Sequence, residues 1–192
     1  MKFNGLGLCK ELRDGIESLG FKEPTPIQQE VIPFMLENRA DLVALAQTGT
    51  GKTGAFGLPL LEKIDPENRN TQALILCPTR ELCIQIAYDL QSYAKKMDAT
   101  RILALYGGTD IRPQLDGLDQ GAQLIVATPG RLLDLLGTRK AKLNAVERLV
   151  LDEADEMLNM GFERELNEIL DAVPKKPSAC SSRPRCRNAC SA

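Results

Sequence analysis

The chain is 192 residues long, 43% hydrophobic and 26% charged, enough for one domain with an ordinary core and no covalent staples. It contains no histidine, which excludes His-based triads and the usual zinc motifs. The net charge is −2, and without Lys175, Lys176, Arg183, Arg185 and Arg187 the body holds 19 basic against 26 acidic residues. Such a body does not hold nucleic acid by bulk charge.

In chain order, Thr25-Pro26-Ile27-Gln28 has the form of a capping box, with Thr25 as cap, Pro26 at the first helical position and Gln28 folding back. Residues 42–46 are the first apolar run suited to a buried parallel strand, followed at 73–77, 102–106, 123–127 and 149–151 by four more. Helical patterns lie between them. One covers 56–64; a second covers 81–95, with Leu82, Ile86 and Leu90 on one face. Another covers 129–136 and opens on Pro129, and the last, 162–173, repeats Phe162, Leu166, Ile169, Leu170 and Val173. Alternating strands and helices predict an α/β domain, a doubly wound parallel sheet with right-handed crossovers. Pro174-Lys-Lys-Pro-Ser178 reads as its boundary, giving a domain over 1–174 and a separate basic tail over 175–192.

Two stretches carry chemistry. Ala46-Gln-Thr48-Gly49-Thr50-Gly51-Lys52-Thr53 stands between a strand pattern and a helix pattern, as a phosphate cradle requires. Gly49 and Gly51 let backbone N–H groups turn onto an anion, and the helix N-terminus adds positive potential. Lys52 is placed to reach the β/γ-phosphates, and the Thr53 hydroxyl to hold Mg²⁺. Ala46 stands where the usual pattern has its first glycine, a small residue that still permits the bend. The second stretch, Asp152-Glu153-Ala154-Asp155, follows the strand pattern of 146–151. At a strand's carboxyl end, Asp152 can hold Mg²⁺ through water and Glu153 can orient or deprotonate an attacking water. The same acids also suit the first turn of a helix. Paired with the lysine loop, they point to nucleoside-triphosphate hydrolysis.

Taken with Gly20-Phe-Lys-Glu-Pro-Thr-Pro-Ile-Gln28, Pro78-Thr-Arg-Glu-Leu82, Gly107-Gly108 and Thr128-Pro-Gly-Arg131, these stretches resemble, in order and across residues 3 to 174, the DEAD-box ATP-dependent RNA helicases in a bacterial-looking form. The resemblance implies the N-terminal of two RecA-like domains, with ATP and Mg²⁺ as cofactors. It assigns the Gln28 amide to the adenine edge, against the capping role above, and the Phe3 ring to stacking on adenine, against simple packing on the first helix. It places an RNA track at Thr79, Arg80, Gly107, Gly108, Thr128, Gly130 and Arg131. Each of these loops alone reads equally well as a helix cap or turn, but together they suit one RNA strand held by its phosphates and 2′-hydroxyls.

The implied activity is RNA-stimulated ATP hydrolysis coupled to local separation of short duplexes. The expected partners are single-stranded or short duplex RNA and a second RecA-like domain. A non-catalytic nucleotide- or RNA-binding module is the alternative, and an ATPase of the same fold acting on DNA is a third reading. No apolar run approaches the 18 residues of a membrane span and Met1-Lys-Phe-Asn-Gly is not a signal peptide, so a cytoplasmic protein with no membrane partner is expected. Cys9, Cys77 and Cys83 read as small buried hydrophobes with no disulfide partner. Cys180, Cys186 and Cys190 lack a fourth ligand and make a poor zinc site. The resemblance demands an apolar strand and a Ser-Ala-Thr motif after residue 176, where the chain has Cys180-Ser-Ser-Arg-Pro. One permitted coding from Ala179 onward, shifted in frame, spells Leu-Leu-Phe-Ser-Ala-Thr, so an out-of-frame tail and negligible ATPase from this chain alone are expected.

Overall fold

A computed structural model describes residues 2–38, 40–45, 49–97 and 99–174. Among these residues four strands, β1 (Ala73–Leu76), β2 (Ile102–Leu105), β3 (Leu124–Ala127) and β4 (Arg148–Leu151), form one sheet in the order β2-β3-β1-β4, every pair parallel. Ala73 lies opposite Leu124 on one side and Arg148 on the other. The helices are α1 (Lys10–Ser18), α2 (Pro26–Glu37), α3 (Lys52–Lys63), α4 (Arg80–Tyr93), α5 (Arg112–Asp119), α6 (Pro129–Gly137), α7 (Ala154–Asn159) and α8 (Glu163–Ala172).

The central strands β1 and β3 are apolar at every position because both faces of the sheet are covered. Side chains alternate between two cores. Ala73, Ile75, Leu124 and Val126 meet Leu12 and Ile16 of α1, Leu58 and Leu61 of α3 and Ile86 and Leu90 of α4. Leu74, Leu76, Ile125 and Ala127 meet Leu132 and Leu135 of α6, Met157 of α7 and Leu166 and Ile169 of α8. Gly57 allows α3 to approach α4: a Cβ there would lie 2.3 Å from Leu90 Cδ2. The doubly wound parallel sheet predicted from the alternating pattern is therefore present.

Helix starts follow local chemistry. Thr25 is the N-cap of α2 with Pro26 behind it, and Gln28 Oε1 accepts from the Thr25 N–H at 3.0 Å. Thr79 Oγ1 caps α4 by accepting from the Leu82 N–H at 3.3 Å. Helix α3 starts at Lys52, four residues before the expected 56, because Gly51 at φ 89° caps it directly. The apolar period that marked 56–64 says nothing about the polar first turn. Helices α1, α5 and α7 have no counterpart in the periodicity reading.

Two strand expectations are corrected. Residues 42–45 of the strand expected at 42–46 are exposed and belong to no strand, and residue 46 lies outside the described residues. Val43 is 86% and Leu45 92% exposed. Apolar periodicity reports what a strand could bury, whereas a strand also needs a neighbour for its backbone. Among the described residues β4 pairs with β1 alone, and its end residue Leu151 is exposed where a buried strand was expected. The Arg148 guanidinium donates to Met35 O at 2.8 Å, so α2 ends beside the start of β4. The tail 175–192, its three cysteines and the frame-shift expectation lie outside the described residues.

Candidate functional site

Parallel strands bring all their carboxyl ends to one edge, where open α/β sheets hold ligands. Here that edge carries Cys77-Pro78-Thr79-Arg80 after β1, Tyr106-Gly107-Gly108 after β2, Thr128 after β3 and Asp152-Glu153 after β4.

The phosphate loop is described from Gly49 on; Thr48 lies outside the described residues. Gly49 (φ 80°) and Gly51 (φ 89°) both occupy the left-handed region that favours glycine. A Cβ at Gly51 would stand 2.7 Å from Gln28 Nε2, and one at Gly54 would stand 2.6 Å from the same atom. Gln28, only 5% exposed, is therefore wedged against the loop. Its Nε2 donates to Gly51 O at 3.1 Å while its Oε1 holds the Thr25 N–H. The capping role is thus in place, and the same amide ties α2 to the loop. One N–H and one lone pair of that amide remain for other partners. Phe3 is 7% exposed, its ring packed into the core beside α1.

Lys52 and Thr53 open α3 directly after the loop. Burial holds the Asp152 carboxyl above its usual range, while the Lys52 charge and the Glu153 N–H act the other way. The Asp152 N–H donates to Leu76 O at 2.9 Å, so the acid is fixed to the central strand. Glu153 caps α7 at φ 53° and ψ 48°, a left-handed backbone that a non-glycine residue adopts at some strain. The neighbouring Cys83 thiol and, after it, burial push the Cys77 thiol far up, and the Asp152 and Glu153 charges add to this. Cys77 and Cys83 are free and buried, and Cys9 is free and half-buried.

Mg²⁺ is the metal the loop chemistry implies. It characteristically keeps several waters and takes one or two protein ligands plus phosphate oxygens. A hydroxyl at Thr53 in the first turn of α3 and a carboxylate at Asp152, close enough to feel the Lys52 charge, suit it. No group of three or more acidic or cysteine side chains that could hold a metal exists among the described residues.

The remaining loops converge around the turn at Gly107-Gly108, where Gly108 has φ 76°. Arg80 Nη1 donates to Gly108 O at 3.4 Å, and Arg131 Nη2 donates to Thr109 O at 3.3 Å. Arg131 Nη1 is buried with no partner among the described residues. Thr128 stands at the N-cap position of α6 without a side-chain bond to the helix, and Gly130 in its first turn faces open space. Two residues here escaped sequence reasoning. Tyr106 lies under Arg80, whose Cζ is 5.2 Å from the ring centroid, and the buried Gln114 of α5 binds the Tyr106 backbone twice. A glutamine in an unpredicted helix gives no motif; only its burial marks it.

The chain matches known proteins over nearly its whole length. A family model described as DEAD/DEAH box helicase covers residues 25–191. The ATP-dependent RNA helicase CshA of Listeria monocytogenes is 51% identical over 175 residues, 90% of this chain and 33% of that protein. The DEAD-box ATP-dependent RNA helicase CshA of Bacillus cereus is 49% identical over 173 residues, again 90% of this chain and 33% of that protein. A solved DEAD box protein from Methanococcus jannaschii superposes with a TM-score of 0.87 at 43% identity, covering 92% of this chain and 48% of that one. The chain spans about a third of the length of the curated relatives it matches.

Proposed function

Starting from a chain that belongs to the DEAD/DEAH box helicase family, we propose that it is the first RecA-like half of an ATP-dependent RNA helicase. In this reading it binds ATP with Mg²⁺ at the phosphate loop and holds single-stranded or short duplex RNA along the row of strand ends. It hydrolyses ATP and separates short duplexes only with a second RecA-like domain closed over both. The observation that carries the reading is one edge shared by two sites. Lys52 bears on Asp152 at β4, while Arg80 and Arg131 meet on the turn after β2.

Each residue then has a task its position supports. Gly49, Thr50 and Gly51 present backbone N–H groups to the phosphates, together with Thr48. Lys52 neutralises phosphate charge, and Thr53 and Asp152 would hold Mg²⁺, partly through water. The metal, when bound, draws charge from the phosphate oxygens. Glu153 orients the attacking water and takes its proton. The free N–H and lone pair of Gln28 read the adenine edge; the Phe3 ring, enclosed in the core beside α1, packs there instead of offering the base the stacking face expected of it. Thr79, Arg80, Gly107, Gly108, Thr128, Gly130 and Arg131 hold the RNA backbone without reading its sequence. On sequence grounds the setting is cytoplasmic, and no helix among the described residues is long and apolar enough to cross a membrane.

The test compares Glu153→Gln with the parent in two settings: this chain, and this chain joined to a relative's second domain. We expect ATP binding to survive the substitution in both, and RNA-stimulated hydrolysis to appear only in the joined parent. Hydrolysis surviving Glu153→Gln there would overturn its role. No hydrolysis from the joined parent, with nucleotide and RNA still bound, would favour the binding-module reading.

A further inference from the structure

We propose that Tyr106, locked by Gln114, is a positioning residue that aims the Arg80 guanidinium at the backbone of bound RNA. The inference rests on the strand-end row being an RNA track. Strand β2 ends at Leu105, so Tyr106 has passed beyond the ladder that fixes the residues before it. The Gln114 side-chain amide takes over the role of a neighbouring strand. Its Oε1 accepts from the Tyr106 N–H at 3.2 Å, and its Nε2 donates to Tyr106 O at 3.1 Å. Gln114 is itself buried, and a buried amide is tolerated where its donor and acceptor are both used. The pairing fixes the backbone of one residue, Tyr106, whose ring packs against the core on one side.

Over that ring lies Arg80, its Cζ 5.2 Å from the centroid, within cation–π range. The Arg80 bond to Gly108 O is 3.4 Å long, beyond the usual hydrogen-bond range, so the ring fixes the guanidinium more firmly than the carbonyl does. A guanidinium lying over an aromatic ring keeps outward N–H donors in a fixed fork, the geometry that suits a phosphate. A free arginine at the same place would lose rotamer freedom on binding. Tyr106 therefore raises RNA affinity without touching RNA.

The test uses the whole 192-residue chain and a fluorescein-labelled oligouridine at low salt, read by anisotropy. Every variant carries the same basic tail, so a free peptide of residues 175–192 titrated alongside measures the tail's own binding, which is subtracted from each curve. Tyr106→Phe should bind like the parent, and Tyr106→Leu about two- to fivefold more weakly. That loss should vanish when Arg80→Ala is already present. Gln114→Glu, which puts a carboxylate oxygen where an amide donated to Tyr106 O, should show the same dependence on Arg80 and stands in should Tyr106→Leu fail to fold. Parent-like binding by Arg80→Ala would overturn the RNA-track reading itself. Weak binding by Arg80→Ala with parent-like Tyr106→Leu and Gln114→Glu would overturn the platform alone. A loss that persists undiminished beside Arg80→Ala would assign Tyr106 a merely structural role and overturn it too.

Discussion

Replacing Gln28 by alanine should do two separable things, because its amide joins two elements. The Oε1 bond at 3.0 Å satisfies the Thr25 N–H at the start of α2, and the Nε2 bond at 3.1 Å holds Gly51 O at the start of α3. Loss of an N-terminal capping interaction costs about 1 kcal/mol. Leaving a partly buried carbonyl without its donor costs about 1–3 kcal/mol more. The sum, about 2–4 kcal/mol, corresponds to a fall in Tm of roughly 5–15 °C for a chain of this size. Urea denaturation followed by far-UV circular dichroism, without nucleotide, measures it. Gln28→Glu separates the two bonds: it keeps the acceptor for Thr25 but sets a carboxylate against Gly51 O. It should retain the cap and still loosen the loop, weakening both nucleotides, and ATP more than GTP because the N–H that reads adenine is lost as well. A loss under about 0.5 kcal/mol for Gln28→Ala would refute the tether. Equal affinity of the parent for ATP and GTP would instead refute adenine reading and leave the tether standing.

Lys52→Ala should abolish phosphate-dependent nucleotide binding with the fold intact, seen as loss of ATP binding in a calorimetric titration alongside an unchanged far-UV spectrum. Asp152 titrates above its usual range, so between the unfolded carboxyl value of about 3.9 and the raised folded value the folded state binds more protons. Stability is then lost as pH rises through that window. Asp152→Asn should accordingly raise Tm at neutral pH, by an amount that shrinks toward pH 4, in a pair of thermal melts. Gly57→Ala would drive a methyl to 2.3 Å from Leu90 Cδ2 and should cost about 1–3 kcal/mol in urea denaturation. Arg131→Ala should weaken RNA uniformly across sequences and reduce the salt slope of binding by about one, measured by anisotropy over a salt series.

Most of the sheet could be read from the sequence because β1 and β3 are buried on both faces and therefore apolar throughout. The strand expected at 42–46 failed for the opposite reason. Leu42, Val43 and Leu45 have strand-like side chains, but a ladder depends on a neighbour, which no window of sequence contains. At the site, motif spacing located Lys52, Asp152 and Glu153, whose elements the fold brings to one edge. The tie from Gln28 to Gly51 crosses between helices and left no trace beyond a capping pattern. Tyr106 and Gln114 were illegible because their roles are contacts across the fold, from the residue just past β2 to α5 and to α4.

The strand order also sets a timetable for synthesis. Strand β1 is the first of the four to be made, yet its partners are Leu124–Ala127 and Arg148–Leu151, the latter about 75 residues further on. At roughly 5–20 residues per second, an emerging Ala73–Leu76 waits about 4–15 seconds for its second neighbour. Through that interval four apolar residues that finish almost fully enclosed stand with at least one side open. A ribosome that pauses between residues 77 and 148 lengthens the exposure of the stickiest part of the sheet, and a chaperone acting there would meet β1 before any other strand.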